Sequence, residues 1–397
     1  MHATLAQMAV TALLVALLPA AIVWTSADTN KYRKLVWVCV FLTFDLIVFG
    51  AFTRLTDSGL GCPDWPGCYG AANPFLAHEQ ITAAEALLPT GPVTVVKAWI
   101  EMIHRYLAMT IGVLIVAMMA QAWYQWRKTR RAEYAPWLPT ALFFFVCLQG
   151  AFGAWTVTLK LQPVIVTTHL LLGMGLLALL VWYGGRQNYL TAPVRTVVSA
   201  SPPAMRNIRL LAGLSAALLL VQLALGGWTS TNYATLACTD FPLCGGKLVP
   251  DMDFEHGFTL WRELGKTAAG HYLPFAALTA IHWVHRNFGL IVALVAGYTA
   301  WRAWDHVALH KTARYIAITL AVQIASGIAT IFLSFPLTIA VLHNAGAALL
   351  VLLLTMLNYK AKYQYDIAKK AASSAAFPPS SPGSPMRQPG NRGNHKH

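Results

Sequence analysis

Glu101 and His104 stand at an i, i+3 spacing in the run Glu101-Met-Ile-His104-Arg105, where a polar stretch passes into a long apolar segment. On a helix that spacing puts both side chains on one face, a turn apart. Ionisable groups at membrane depth are costly, so such a pair marks a functional site. The chain carries the motif a second time, as His282-Trp-Val-His285-Arg286, with histidine in place of the glutamate. Two further histidines, His169 and His343, follow in matching positions, each inside an apolar run. The chemistry on offer is imidazole ligation in two places and acid–base work by a carboxylate in only one of them.

Composition sets the environment in which this happens. Of 397 residues, 57% are hydrophobic and only 11% charged, against about 25% charged in a soluble domain. This is an all-α polytopic membrane protein, because a chain in lipid must pair every backbone polar group internally. The net charge of +14 arises from Lys and Arg gathered in alternate loops, the positive-inside pattern, and not from a nucleic-acid surface. Each expected span is long enough to cross, at roughly 20 residues per crossing. They are Leu5–Trp24, Leu35–Phe52, Ala98–Trp126, Trp137–Leu159, Pro163–Tyr183, Ile208–Trp228, Tyr272–Trp304, Tyr315–Ser334 and Leu337–Tyr359. The first lacks a basic leader and is read as an extra transmembrane helix, with a cleaved signal peptide as the alternative. Arg127, Lys128, Arg130 and Arg131, then Arg186, Arg195, Arg206 and Arg209, then Arg302, Lys311 and Arg314 crowd one side, the cytoplasmic one. The loops 53–97 and 229–271 then lie outside, periplasmic in a Gram-negative cell, and the C-terminus inside.

The eight helices after the first fall into two fours that share five features in order. G-A-F-T-R-L-T pairs with G-G-W-T-S-T-N, and Cys62-P-D-W-P-G-Cys68 with Cys238-T-D-F-P-L-Cys244. E-M-I-H-R pairs with H-W-V-H-R, L-Q-G-A-F-G with Q-I-A-S-G-I-A, and the run ending in His169 with the run ending in His343. An even helix number per half makes these parallel repeats, and one four-helix bundle per half is the expected architecture. The segments are 1–34, the extra helix and a cytoplasmic link; 35–185, the first bundle; 186–207, a cytoplasmic linker; 208–360, the second bundle; and 361–397, a disordered cytoplasmic tail.

At about 1.5 Å per residue, His104 and His285 lie ~33 and ~28 Å from the cytoplasmic ends of their spans. On the same rise His169 and His343 lie ~21 and ~24 Å from theirs, so all four sit in the outer half of the bilayer. Two imidazoles from the second and fourth helices of a bundle suit the axial positions of a haem iron. Packing histidines and a zinc or copper site are the rival readings. Arg105 and Arg286 are candidate propionate contacts, or else interfacial anchors. His282 either hydrogen-bonds near His285 or only packs. Cys39 and Cys147 read as packing residues. Cys62 with Cys68 and Cys238 with Cys244 read as disulfides on the outer side, with metal ligation or a redox pair as alternatives.

The run T-R-L-T-D-S-G-L-G-C-P-D-W-P-G-C, followed by E-x-x-H-R and a second histidine, resembles the haem A synthase family of the Cox15/CtaA type. The likeness covers roughly Leu35 to Tyr359. It implies an inner-membrane oxidoreductase that converts a methyl group of haem O to a formyl group, giving haem A for cytochrome oxidase. By motif, His104 and His169 would be the substrate-side iron ligands, Glu101 the catalytic carboxylate, and His285 and His343 the ligands of a permanent haem b. Haem O synthase, oxidase assembly factors, membrane lipid and a second copy of the chain are the candidate partners. The extra first helix departs from the family's eight-helix pattern. A di-haem electron-transfer cytochrome and a haem carrier share the same four histidines and are the alternatives. The electron acceptor and the source of the inserted oxygen stay open at this level.

Overall fold

The computed structural model describes residues 2–191 and 201–376, and its regular structure there is α-helical, joined by loops and apart from a 3₁₀ turn and isolated β-bridges. The elements are α1 (His2–Thr25), α2 (Lys31–Leu55), α3 (His78–Leu87), α4 (Val95–Thr129), α5 (Trp137–Thr158), α6 (Pro163–Thr191), α7 (Pro202–Thr231), α8 (Phe254–Gly257), α9 (Phe275–Trp304), α10 (His310–Phe332) and α11 (Leu337–Ala376). Among the described residues nine of these helices are long and apolar enough to cross a membrane. Side-chain caps start several of them. The Asn30 side chain accepts from the N–H of Arg33 at the head of α2, and the Thr94 hydroxyl from the N–H of Lys97 at the head of α4.

Helices α2, α4, α5 and α6 pack side by side in a closed ring, and so do α7, α9, α10 and α11. In each ring the second and fourth helices stand across the diagonal and are not packed against one another. The two rings meet through α6, α11, α2 and α7. At their Cys-loop ends Arg54 ties one ring to the other. It donates to the carbonyl of Ser230 (2.8 Å) and to the Tyr233 hydroxyl, which in turn donates to Asp57.

Three expectations change. Several helices overrun the apolar spans, because polar ends continue the backbone ladder into the interfacial zone. The most evident case is α11, which continues past Tyr359 to Ala376. Residues 361–376 are thus helical and not a disordered tail, with Tyr363 packed edge-on against Tyr189 of α6. The remainder of that tail, 377–397, lies outside the described residues, as does Arg195 with the centre of the linker. The long loops hold the short helices α3 and α8, too short to show as apolar periods. Cys39 is buried as expected, but Cys147 is exposed on the outer face of α5.

Helix α1 packs along α4 and over the first Cys loop. The Thr4 hydroxyl donates to the carbonyl of Gly70 (2.6 Å), and Met8 is buried in a cluster with Cys62, Cys68, Ala98 and Met102.

Candidate functional site

Each of the four histidines rests on a glycine of the helix before it. A Cβ built on Gly50, Gly153, Gly226 or Gly327 would lie 2.9, 3.1, 3.0 or 3.0 Å from the Cε1 of His104, His169, His285 or His343. The pairs run α2 to α4, α5 to α6, α7 to α9 and α10 to α11, so one seat geometry occurs four times. A side chain at Gly50 would force the ring to move, and one at Gly153, Gly226 or Gly327 would meet it more tightly than nearly all real Cβ contacts. The histidines come from the diagonal helices. His104 and His169 lie within electrostatic reach of one another, as do His285 and His343.

Three of the four also meet a glutamine one turn before the glycine. Gln149 donates to the carbonyl of His169 (3.1 Å) and Gln222 to that of His285 (3.1 Å). The Gln222 amide also meets His285 Nδ1 at 3.2 Å, and the Gln323 amide meets His343 Nε2 at 3.2 Å. The carbonyl oxygens of Gln149, Gln222 and Gln323 are buried without a hydrogen-bond partner, as are Nδ1 of His104 and of His169. Ser326 additionally engages His343 Nδ1 at 2.9 Å, so one of that ring's two contacts must give way to a metal.

These observations test the fit of a haem. Two imidazoles are available in each ring on helices held apart, and ring nitrogens of His104 and His169 are buried and unpaired. An amide oxygen beside a ring is the partner that a ligating histidine's other N–H requires. The residues fit the group in both halves: His104 with His169 and His285 with His343 would hold iron, which would supply redox chemistry there. Among the described residues no three or more His, Cys, Asp or Glu side chains converge into a cage for a bare metal ion, the arrangement a structural zinc needs.

Above each pair sits a Cys loop built to one plan. Cys62 is bonded to Cys68 and Cys238 to Cys244. Asp64 accepts from the N–H groups of Tyr69 and Gly70, and Asp240 from those of Gly245 and Gly246. The Gly246 and Gly245 donors hold the Asp240 carboxyl below the usual carboxylate range. Non-reduced peptide mapping should return Cys62–Cys68 and Cys238–Cys244 as linked pairs. Loss of either link should cost about 2–3 kcal/mol, and free thiols at these positions would contradict the assignment.

The arginines serve the loops. Arg105 donates to the carbonyls of Asp64, Pro66 and Gly67, and Arg286 to those of Asp240, Pro242 and Leu243. In this arrangement their hydrogen bonds go to the loop backbone, the role of an anchor; Arg286, only half-buried, retains an open flank. Glu101 and His282 do the same job in the two halves. The N–H of Cys62 donates to Glu101 Oε2 (2.8 Å), and the N–H of Cys238 donates to His282 Nδ1 (3.1 Å). His282 is therefore a loop anchor beside its packing role. Glu101 has one partner more, a buried ion pair with Arg105 at 2.6 Å.

The glycine seats and glutamines were not recognised in the sequence. Their signal is a Q-x-x-x-G spacing on α5, α7 and α10, with Leu46-x-x-x-Gly50 on α2. It acquires meaning only once each such helix is known to face a histidine.

The profile of the COX15-CtaA family, described as Cytochrome oxidase assembly protein, matches residues 33–355. The chain is 38% identical to the heme A synthase of Shewanella oneidensis over 82% of this chain and 96% of that protein. It is 30% identical to the heme A synthase of Novosphingobium aromaticivorans, over 82% and 94%. It is 27% identical to that of Maricaulis maris, again over 82% and 94%. A match that spans all four histidine hairpins and both Cys loops leaves one conclusion: the chain belongs to the COX15-CtaA family of cytochrome oxidase assembly proteins.

Proposed function

We propose that this protein is a haem A synthase that takes haem O between His104 and His169 and keeps a haem b between His285 and His343. One observation carries the division of labour. The two halves share seats, ligand positions and loop anchors, yet only the first has a carboxylate, Glu101, where the second has His282. An electron-carrying site needs no acid–base group beside its ring. Oxidising a methyl to a formyl group removes hydrogen from carbon, and a fixed carboxylate can accept the proton or stabilise positive charge developing at the porphyrin edge.

The residues position that step. Arg105 and the Cys62 N–H orient both carboxylate oxygens of Glu101, one helical turn from His104. The Cys loop and α1 cover this end of α4 and limit access of water to it. Haem b, when bound, supplies a redox centre in the second half; His285 and His343 hold it, and Gln222 and Gln323 orient those two rings. The charge pattern of the loops supports an orientation with the Cys loops outside and the C-terminus cytoplasmic, the one expected of an inner-membrane enzyme with periplasmic Cys loops. Haem O synthase and oxidase assembly factors are the natural neighbours of such an enzyme.

Pigment extraction tests the reading. Cells that supply haem O and express this chain should accumulate haem A, identified by its formyl-shifted spectrum and mass. Haem O that persists unconverted beside well-expressed protein would exclude the enzyme and favour a carrier or an electron-transfer cytochrome.

A further inference from the structure

The four histidine seats differ in one respect. His169, His285 and His343 are each met by a glutamine from the facing helix: Gln149, Gln222 and Gln323. At His104 the corresponding position, four residues before the seat glycine Gly50, is Leu46. The room for the amide is gone as well. Each glutamine lies over a glycine that follows the histidine. Ideal Cβ atoms at Gly173 and Gly289 would lie 3.3 and 3.2 Å from the glutamine side chain, and one at Gly346 would collide with Oε1 of Gln323. That glycine follows His169 and His285 by four residues and His343 by three, whereas the positions three and four residues after His104 are Leu107 and Ala108, neither of them glycine. What His104 has instead is the face of Phe49, with ring centroids 6.2 Å apart, and a buried Nδ1 with no hydrogen-bond partner.

We propose that His104 is the exchangeable axial ligand of the substrate haem, released because it alone lacks the glutamine clamp that holds the other three histidines. The inference rests on the reading that the first half takes haem O. A half-turn of each glutamine amide exchanges its Nε2 and Oε1; it gives up the Nε2 bond to the histidine carbonyl at Gln149 and Gln222 and puts the unpaired Oε1 on the ring nitrogen that a ligating imidazole leaves outward. Such a partner fixes the ring's tautomer and raises its basicity, and removal of such a partner typically costs about 10–100-fold in metal affinity. His104 receives neither effect. Iron held between His169 and His104 therefore opens on the His104 side, the side that carries Glu101. Substrate can enter and product leave by breaking one bond, while a clamped pair keeps the resident haem in place in the other half.

Carbon monoxide reads this directly, since it binds ferrous haem only where an axial ligand departs. Full-length protein carrying haem in both halves, reduced with dithionite, should show a carbonyl Soret band from the first half and none from the second. Leu46→Gln combined with Ala108→Gly installs the clamp and should slow or weaken carbonyl formation about 10–100-fold. Gln222→Leu removes a clamp and should make the second-half haem reactive to carbon monoxide, a gain that misfolding does not imitate when the reduced spectrum is otherwise intact. Wild-type carbonyl kinetics in the Leu46→Gln/Ala108→Gly protein, an inert second half in Gln222→Leu, or a first-half haem that rejects carbon monoxide would each overturn the proposal. The double variant His285→Ala/His343→Ala separates the two layers of argument. If the reactive haem disappears in it, the assignment of the halves fails. If the reactive haem survives but ignores the installed clamp, the clamp fails.

Discussion

Glu101→Gln protein should make haem A about 10²–10⁴-fold more slowly per molecule of bound haem b, the usual loss when a positioned acid–base group is removed. The substitution keeps the size of the side chain, and the amide oxygen can still accept from the Cys62 N–H. The carboxylate charge is lost, and with it the partner of Arg105, both members of the pair being at least nine-tenths buried. Breaking a buried pair from one side typically costs about 3–5 kcal/mol, so expression should fall too. The three loop carbonyls that Arg105 also touches soften that cost. Normalising haem A to bound haem b removes the effect of yield. If the carboxylate served only as a loop anchor, as His282 does in the other half, each folded Glu101→Gln molecule would turn over at the wild-type rate. Glu101→Asp should recover part of the activity, and accumulation of a half-oxidised alcohol in Glu101→Gln would locate the lost step after the first oxygen insertion.

His285→Ala and His343→Ala should each strip the resident haem b almost completely, whereas His104→Ala and His169→Ala should leave its spectrum in place. His285 and His343 would each supply one of the two imidazoles that hold this haem, and either substitution empties the seat at Gly226 or Gly327. The check is a pyridine haemochrome assay with low-temperature spectra of the purified variants. Retention of a bis-histidine haem b spectrum by His343→Ala protein would falsify the assignment of the two halves.

Much of this architecture was legible in the sequence, and particular residues show why the rest was not. Long apolar runs announce helices, and two fours sharing Cys, His and Arg positions announce a repeat. The diagonal placement of His104 and His169 follows from their helices being second and fourth in a ring. Arg105 and Arg286 were harder. A cation one residue after a histidine fits a propionate and a loop carbonyl equally well, and only the folded Cys loops show where its hydrogen bonds go. Gly50, Gly153, Gly226 and Gly327 were invisible for a related reason. Small residues are common wherever transmembrane helices approach closely, so a glycine acquires meaning only from the ring set against it. The helical extension of α11 to Ala376 escaped because its stabilising contacts, such as Tyr363 on Tyr189, come from another helix.

The glycine seat occurs four times in one chain and the glutamine clamp three times, each seat as an up-going helix with the glycine and a down-going helix with the histidine. A single such hairpin owns everything one face of a porphyrin requires, and two copies facing each other own a whole site. Two helices with Q-x-x-x-G on one and H-x-x-x-G on the other, as in α5 with α6 and α7 with α9, are therefore a sufficient unit when two copies associate. The same reasoning makes a minimal artificial cytochrome from the α7 and α9 segments a concrete design target, with each copy contributing one imidazole.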